Sequence, residues 1–278
     1  PGILAVLIPS LIFLVVRSLA SGTPAVVGGT ASQTPSPFAG NPTTSIPTVT
    51  LFQTRIPFPT PPRDANPGDI WVSSADGMNL VFIPAGEFLM GFNEGDPAAP
   101  ADAKPQRKIT LDGYWMDRLE VTNEMFAAFV KATGYITDSE TKGESLVFDE
   151  KVLDWVSVPG AYWRDPRGDE KGISDLLTHP VVHVSWTDAV SYCEWSGRRL
   201  PTEAEWEKAA RGTDGRKYPW GNNPVNGKRA NFADRQLGIL SYANLSVDDG
   251  YKYTAPVGSF PDGASPYGLL DMAGNVHE

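Results

Sequence analysis

Apolar residues alternate with polar and turn residues where the folded part of the chain begins. In Met78–Gly91, MNLVFIPAGEFLMG, this alternation predicts two strands that pair with each other and are separated by a break at 84–86. The segment Lys108–Thr122 continues the strand pattern, with a turn at Asp112–Gly113. A further apolar run, His179–Trp186, predicts a short buried strand.

Helical spacing of apolar residues appears next in the chain. In NEMFAAFVKATG the apolar side chains recur every three to four residues, which predicts a helix capped by Thr122 and stopped by Gly134. The segment TDAVSYCEWSG predicts a second helix, from a Thr187 cap to a Gly197 stop.

A third helix is predicted within RRLPTEAEWEKAARG, residues 198–212. Thr202 and Glu205 have the spacing of a capping box, and Gly212 follows the last helical residue.

The role of the two preceding arginines, Arg198 and Arg199, stays open at this point. They are either solvated charges or partners of Glu203 or Glu205 across the helix start.

The pattern as a whole predicts an α+β domain with low regular secondary structure. Helices are few, strands are short, and the chain after Gly212 is rich in turn residues. A loop held in place at that density needs buried polar contacts or a bound metal, because its backbone groups must be satisfied.

The first 69 residues differ in composition from the rest. Ile3–Val16 carries no charge, so residues 1–17 are interpreted as a membrane anchor, with a signal peptide or a core helix as alternatives. Residues 18–69 form a Pro/Ser/Thr-rich linker, and 70–278 the folded domain. The chain begins without methionine and stops inside a motif, so we expect it to be a fragment, truncated at its C-terminus.

The charge distribution indicates which partners the chain can bind. All 33 acidic residues lie from Asp64 onward and the net charge is −10. Such a surface repels a phosphate backbone, which argues against nucleic-acid binding, whereas acidic oxygens suit calcium.

Cysteine and histidine bear on the chemistry. The one cysteine, Cys193, excludes an intramolecular disulfide and is interpreted as a small buried apolar residue. His179 and His183 would lie ~13 Å apart on a strand, which is too far for one ion, so both are interpreted as structural.

Several segments together resemble the formylglycine-generating enzyme family, also called the sulfatase-modifying factor domain. The resemblance covers about Met78 to Glu278 and is carried by FIPAGEFLMG, EVTNEMFAAFV, HPVVHVSWTDAVSYCEWSGRRLPTEAEWEKAARG, YPWGN and APVGSFPDGASPYGLLDMAGNVHE. It implies an irregular variant of the C-type-lectin-like fold, stabilised by structural calcium. In this resemblance the helix after Arg199 is scaffold.

The resemblance also implies two calcium sites. The first comprises the side chains of Asn231 and Asp249 and the carbonyls of Phe232 and Tyr251. Carboxylates mixed with backbone carbonyls are the ligands that calcium prefers.

The second implied site is formed by the C-terminal segment. It comprises the Asp271 side chain, the Gly274 and Val276 carbonyls and the Glu278 carboxylate. His277 departs from the family pattern, which commonly has tryptophan there.

Catalytic members of the family oxidise a sulfatase cysteine to formylglycine with oxygen and a copper ion held by cysteine thiolates. No residue of this chain matches those cysteines, so copper is expected only if a missing C-terminal part carries them. The implied partner is a sulfatase or another cysteine-containing polypeptide. The alternative is a non-catalytic ligand-binding or sensory ectodomain of a membrane-anchored signalling protein. Both hypotheses place the domain outside the cytoplasm, attached to a membrane through the N-terminal segment.

Overall fold

A computed structural model describes residues 59–62, 64–92, 95, 103–238 and 243–278. The predicted membrane anchor, 1–17, and most of the predicted linker, 18–69, lie outside the described residues. Within the described ranges, every helix falls short of the length and apolar character that crossing a membrane requires.

The described strands form three small antiparallel sheets. In chain order they are β1 (Ile70–Val72), β2 (Asn79–Ile83), β3 (Gly86–Met90), β4 (Arg107–Leu111), β5 (Tyr114–Asp117), β6 (Glu144–Asp149) and β7 (Asp154–Pro159). The sheets have the orders β1-β2-β5, β3-β4 and β6-β7.

The predicted pairing of β2 with β3 is wrong. β2 lies between β1 and β5, with Val81 opposite Met116, while β3 pairs with β4, with Phe88 opposite Ile109. Gly86 has φ +136, a conformation that favours glycine, at the point where the chain leaves one sheet for the other. The break at 84–86 therefore redirects the chain instead of closing a hairpin.

The described helices are α1 (Asn123–Thr133), α2 (Asp138–Lys142), α3 (Trp186–Trp195) and α4 (Glu203–Arg211), with a 3-10 turn at Pro261–Gly263. The caps predicted for α1 are confirmed. Thr122 accepts the N–H of Met125, and Gly134 is left-handed at φ 69. The predicted capping box of α4 is also present, with Thr202 and Glu205 bonded reciprocally.

Two expectations around α3 are wrong. The N-cap is Ser185, which forms a capping box with Asp188, and the predicted cap Thr187 lies inside the helix. Within the apolar run 179–186, residues 179–185 form a loop instead of a strand, joined to the α1 entrance by a bridge between Pro180 and Thr122, and Trp186 begins α3. His183 has φ +58, which breaks the regular extended backbone that a strand requires.

The core has two parts. One joins β2 to α4 through Val81, Ile83, Ala209 and Ala210 and to the C-terminal loops through Leu269 and Met272. The other is aromatic and joins α1 to α3, with Phe126, Phe129, Trp163 and Tyr192 at its centre.

Buried polar contacts hold the loops, as the turn-rich sequence predicted. The Asn123 side chain donates to the Leu176 carbonyl at 2.8 Å, and the buried Lys208 ammonium donates to Pro84 and Gly86 carbonyls at 2.7 and 3.1 Å. The described residues after Gly212 form turns, bridges and the 3-10 turn. The α+β class with low regular secondary structure is confirmed.

Candidate metal centre

The structure brings the backbone of two residues of the first predicted site, Phe232 and Tyr251, to the Asp249 carboxylate. Its Oδ2 accepts the N–H of Phe232 at 2.9 Å, and its Oδ1 accepts the N–H of Tyr251 at 2.9 Å. Asn231 is buried next to Phe232, and its Nδ2 donates to the Tyr253 carbonyl at 2.5 Å. The segments that supply the predicted ligands therefore meet.

The electrostatics of this site favour a cation. Burial raises the pKa of Asp249, and the neighbouring carboxylates of Asp234 and Asp248 raise it further, while the Phe232 and Tyr251 N–H groups oppose the rise. Asp234 is fully buried and accepts the N–H of Asp249 at 2.5 Å. Sequence reasoning missed Asp234, although it stands in the same ANFAD segment as Asn231.

The second predicted site lies in the loop 271–278. Asp271 is buried with φ +59, and its Oδ2 accepts the N–H of Gly258 at 2.6 Å. Glu278 Oε2 accepts the Trp206 Nε1–H at 2.5 Å. Burial raises the pKa of Asp271, and that of Glu278 is raised because its carboxyl group is withdrawn from water, although the residue as a whole is exposed. The carbonyls of Gly274 and Val276 belong to the same loop.

The two predicted sites are in contact, which the sequence did not indicate. A Cβ on Gly274 would lie 2.2 Å from the Asn231 carbonyl oxygen, and the Asn275 N–H donates to that oxygen at 2.9 Å. The Asn231 Nδ2 in turn donates to Asn275 Oδ1 at 3.0 Å. His277, where the family commonly has tryptophan, is exposed.

Glu120 is a buried carboxylate beside the second site that sequence reasoning missed. Its Oε2 accepts the Asn275 Nδ2–H at 2.6 Å, while its Oε1 makes no hydrogen bond. Burial raises the pKa of Glu120 to about 9, and the charges of Asp271 and Glu278 contribute. The sequence feature that could have indicated this buried carboxylate is its position between two apolar residues, Leu119 and Val121.

The oxygen donors fit a hard cation such as calcium. Buried carboxylates with raised pKa values, together with the orphaned Oε1 of Glu120, form a site that a divalent cation would stabilise. Across the described ranges, no three His, Cys, Asp or Glu side chains already stand at ligand distances around one point. Backbone carbonyls therefore have to supply part of the coordination.

The single thiol does not fit a copper site. Cys193 is half-buried, and burial together with the Asp117 charge raises its pKa to about 11, so it is a thiol at neutral pH. A Cu(I) centre of the kind expected for catalytic members needs two thiolates. No residue that the structure describes is assigned to copper.

The two histidines are separately engaged, which agrees with a structural role. His179 Nδ1 lies 3.0 Å from Thr254 Oγ1. The His183 ring lies 2.8 Å from both Ser145 Oγ and the Pro166 carbonyl.

The arginines before α4 occupy different environments. Arg199 pairs with Glu205 through two bonds of 2.7 and 2.6 Å, which confirms one of the two alternatives for this residue. The Arg198 side chain is only 11% exposed and pairs with Asp76 at 2.5 Å, while its Nε lies 3.3 Å from Asp117 without forming a hydrogen bond. Neither alternative considered for Arg198 is correct, because its partners come from distant parts of the chain.

Comparison with known proteins identifies a matching family model and several relatives of this chain. The family model described as the sulfatase-modifying factor enzyme 1-like domain matches residues 72–278. A formylglycine-generating enzyme of Thermomonospora curvata is 47% identical over 72% of this chain and 69% of its own length. One from Mus musculus is 42% identical over 72% of this chain but only 56% of its own length.

Among solved structures, PvdO from Pseudomonas aeruginosa superposes with a TM-score of 0.55 at 26% identity. The superposition covers 77% of this chain and 74% of that one.

Proposed function

Because the chain belongs to the sulfatase-modifying factor enzyme family, we propose that it takes part in oxidising a cysteine of a sulfatase polypeptide to formylglycine. The observation that carries this proposal is the family match over 72–278, together with 47% identity to a formylglycine-generating enzyme. The chain spans 56% of the mouse relative's length, so the activity of the whole protein is part of the proposal.

In this proposal, the described residues supply scaffold and substrate-positioning surface. The copper ion of catalytic members would supply the oxidation with molecular oxygen. Since Cys193 is the only cysteine in the 278 residues and is a half-buried, protonated thiol, the thiolates would have to come from outside them.

The proposal includes structural calcium at the two contacting loops. The eight positions are Asn231, Phe232, Asp249, Tyr251, Asp271, Gly274, Val276 and Glu278. The contacts of Asp249 with the Phe232 and Tyr251 backbone support the first site, and the buried Asp271 supports the second. Ions at adjacent loops would fix a region that has little regular structure of its own.

The proposal also includes a position outside the cytoplasm, with attachment to a membrane through residues 1–17. The uncharged run Ile3–Val16 and the proline-rich segment after it support this part. The alternative function, a non-catalytic sensory or ligand-binding ectodomain, stays a prediction that the following experiment decides.

The test is co-expression of the full-length protein with a sulfatase whose target cysteine is intact. We expect mass spectrometry to detect formylglycine at that cysteine and a hydrazide probe to label the new aldehyde. The matched control is a sulfatase in which the target cysteine is replaced by alanine. A folded protein that leaves the cysteine unchanged in the presence of oxygen and copper would favour the non-catalytic alternative.

A further inference from the structure

Glu120 belongs to a segment that lies against the C-terminal loop. The Leu270 N–H donates to the Arg118 carbonyl at 3.0 Å, and Arg118 Nε donates to the Gly268 carbonyl at 3.1 Å. On the other side, a Cβ on Gly258 would touch the Leu119 side chain at 3.3 Å. These contacts fix the backbone that carries Glu120 beside residues 268–276.

The two carboxylate oxygens of Glu120 have different environments. The residue is 8% exposed. Asn275 Nδ2 donates to Oε2 at 2.6 Å, while Oε1 is buried without a hydrogen-bond partner. Asn275 is itself fixed, because its Oδ1 accepts from Asn231 Nδ2 and from the Ala255 N–H at 2.8 Å. Asn275 thus orients the carboxylate and leaves one oxygen unsatisfied.

The surroundings of Glu120 are negative. The charges of Asp271 and Glu278 both act on it, and the opposing influences are the Asn275 amide and the Val276 N–H. No cationic side chain is among the largest influences on Glu120. A buried carboxylate without a cationic partner is costly, and a bound divalent cation removes that cost.

We propose that Glu120 is a third carboxylate of the cation site formed by the 271–278 loop, with Oε1 facing the ion. The inference rests on the calcium part of the proposed function and adds a residue from the connection between β5 and α1. Calcium takes six to eight oxygens in flexible arrangements that include water. Glu120 therefore acts either directly, after a side-chain rotation, or through one bridging water.

This role has a mechanical consequence for the fold. An ion shared by Glu120 and the 271–278 loop would link the entrance of α1 to the C-terminal segment. Calcium should therefore stabilise this protein more than an ion bound by the donors of the C-terminal loop alone would.

The experiment compares full-length wild type with Glu120→Gln, which keeps the shape and removes the charge. Calcium affinity is measured by titration calorimetry, and Tm is measured in calcium and in EDTA. We expect at least about a tenfold loss of calcium affinity in Glu120→Gln. In EDTA the variant should be about as stable as wild type, because the amide keeps the shape of the side chain and an oxygen that accepts the Asn275 Nδ2–H. Glu124→Gln, at an exposed position of α1, is the matched control and should leave both measurements unchanged.

A second variant shows whether a loss of calcium affinity comes from the missing charge or from a folding defect. Glu120→Asp keeps the charge but draws it back by one methylene group, so we expect an intermediate loss of affinity. If Glu120 only holds Asn275 in place, Glu120→Gln should lower Tm equally in calcium and in EDTA, and calcium affinity should not change. That result would overturn the inference while leaving the proposed calcium sites intact. If wild type shows no response to calcium, both the inference and the calcium part of the proposal fail, whereas formylglycine formation is tested separately.

Discussion

At the scale of single residues, Arg198 and Arg199 are adjacent in sequence but differ in how far their side chains are buried and in the carboxylates they pair with. The side chain of Arg198 is 11% exposed and that of Asp76 is fully buried, whereas 66% of the Arg199 side chain is exposed. Although burial opposes it, the Arg198 guanidinium holds the pKa of Asp76 below its usual value. Tyr192 adds a hydrogen bond to Asp76 at 2.5 Å. Arg198 is therefore a structural ion-pair residue of the interior.

Replacing each arginine by methionine should separate the two roles. Arg198→Met leaves Asp76 charged and buried without its partner, so we expect a loss of about 3–5 kcal/mol in the free energy of unfolding. Arg199→Met removes a partner whose own side chain is 66% exposed, and Glu205 keeps its bonds to Thr202, so we expect a cost of about 1 kcal/mol or less. Urea unfolding of both variants measures the difference, and equal losses would contradict the assignment.

Glu205 makes stability depend on pH. Its bonds with Arg199 lower its pKa from 4.5 to about 2, with further help from Thr202 and against the effect of burial. Because the folded-state pKa is below the unfolded-state value, the contribution is complete above pH 4.5 and is lost as pH falls from 4.5 towards 2.

We expect Glu205→Gln to cost about 1–2 kcal/mol at pH 7, since it breaks the capping box and the pair with Arg199. The difference from wild type should shrink progressively below pH 4.5, as measured by urea unfolding at several pH values. Glu203→Gln, in the same first turn but exposed, should show a far smaller effect at pH 7. A difference that stays constant down to pH 3 would count against the ionised pair.

At the scale of elements, α1 and α3 are joined by aromatic packing. The Phe126 ring lies 5.1 Å from Trp163 and 5.9 Å from Tyr192, measured between centroids. Both Phe126 and Trp163 are almost completely buried. The helical spacing of α1 predicted which of its faces is apolar. It did not predict that Trp163, from a loop, would complete the cluster.

Phe126→Ala should therefore cost about 3–5 kcal/mol, because it removes a large buried ring and leaves a cavity. The matched control is Trp155→Ala on β7, whose side chain is 53% exposed. We expect that control to cost about 1 kcal/mol or less. Thermal and urea unfolding give both values, and a similar cost for the two variants would show that the helix contact contributes little.

At the scale of the whole molecule, stability depends on loops that contact each other. The Asn231 carbonyl oxygen accepts the Asn275 N–H. It also lies so close to Gly274 that a Cβ at that position would clash with it. Contacts of this kind connect parts of the chain that lie far apart in sequence. They replace the regular hydrogen-bond ladders that larger sheets would provide.

Alanine substitutions at two glycines of the C-terminal region distinguish the cost of backbone strain from the cost of disturbing a contact between loops. Gly268 and Gly274 have similar φ values, +87 and +92, but a Cβ on Gly268 would meet nothing within 4 Å. We expect Gly268→Ala to cost about 1 kcal/mol from conformation alone. Gly274→Ala should cost clearly more, because the new methyl group forces Asn231 and the loop apart. Urea unfolding in EDTA measures both without a contribution from bound metal, and equal costs would argue against the close approach of the loops.

The sequence by itself determined the local elements and the family. Caps, spacing and turn residues located α1, α4 and strands β2 to β5, because these signals act over a few residues along one backbone. The motifs determined the family in the same way, since they are read in order along the chain. Long-range partners were outside the reach of such signals.

Tertiary structure alone decided which strands pair, why Arg198 is buried and where Glu120 lies. Each of these depends on residues far apart in sequence, such as Arg198 with Asp76 or Glu120 with Asn275. The same reason explains why the run 179–186 is not the predicted strand. Val181 and Val184 are partly buried against the α1–α3 cluster, Trp186 is exposed, and the backbone bonds of His179 and Val181 run to the α1 entrance instead of a neighbouring strand. Burial and partner choice are properties of the assembled chain, so no local pattern could encode them.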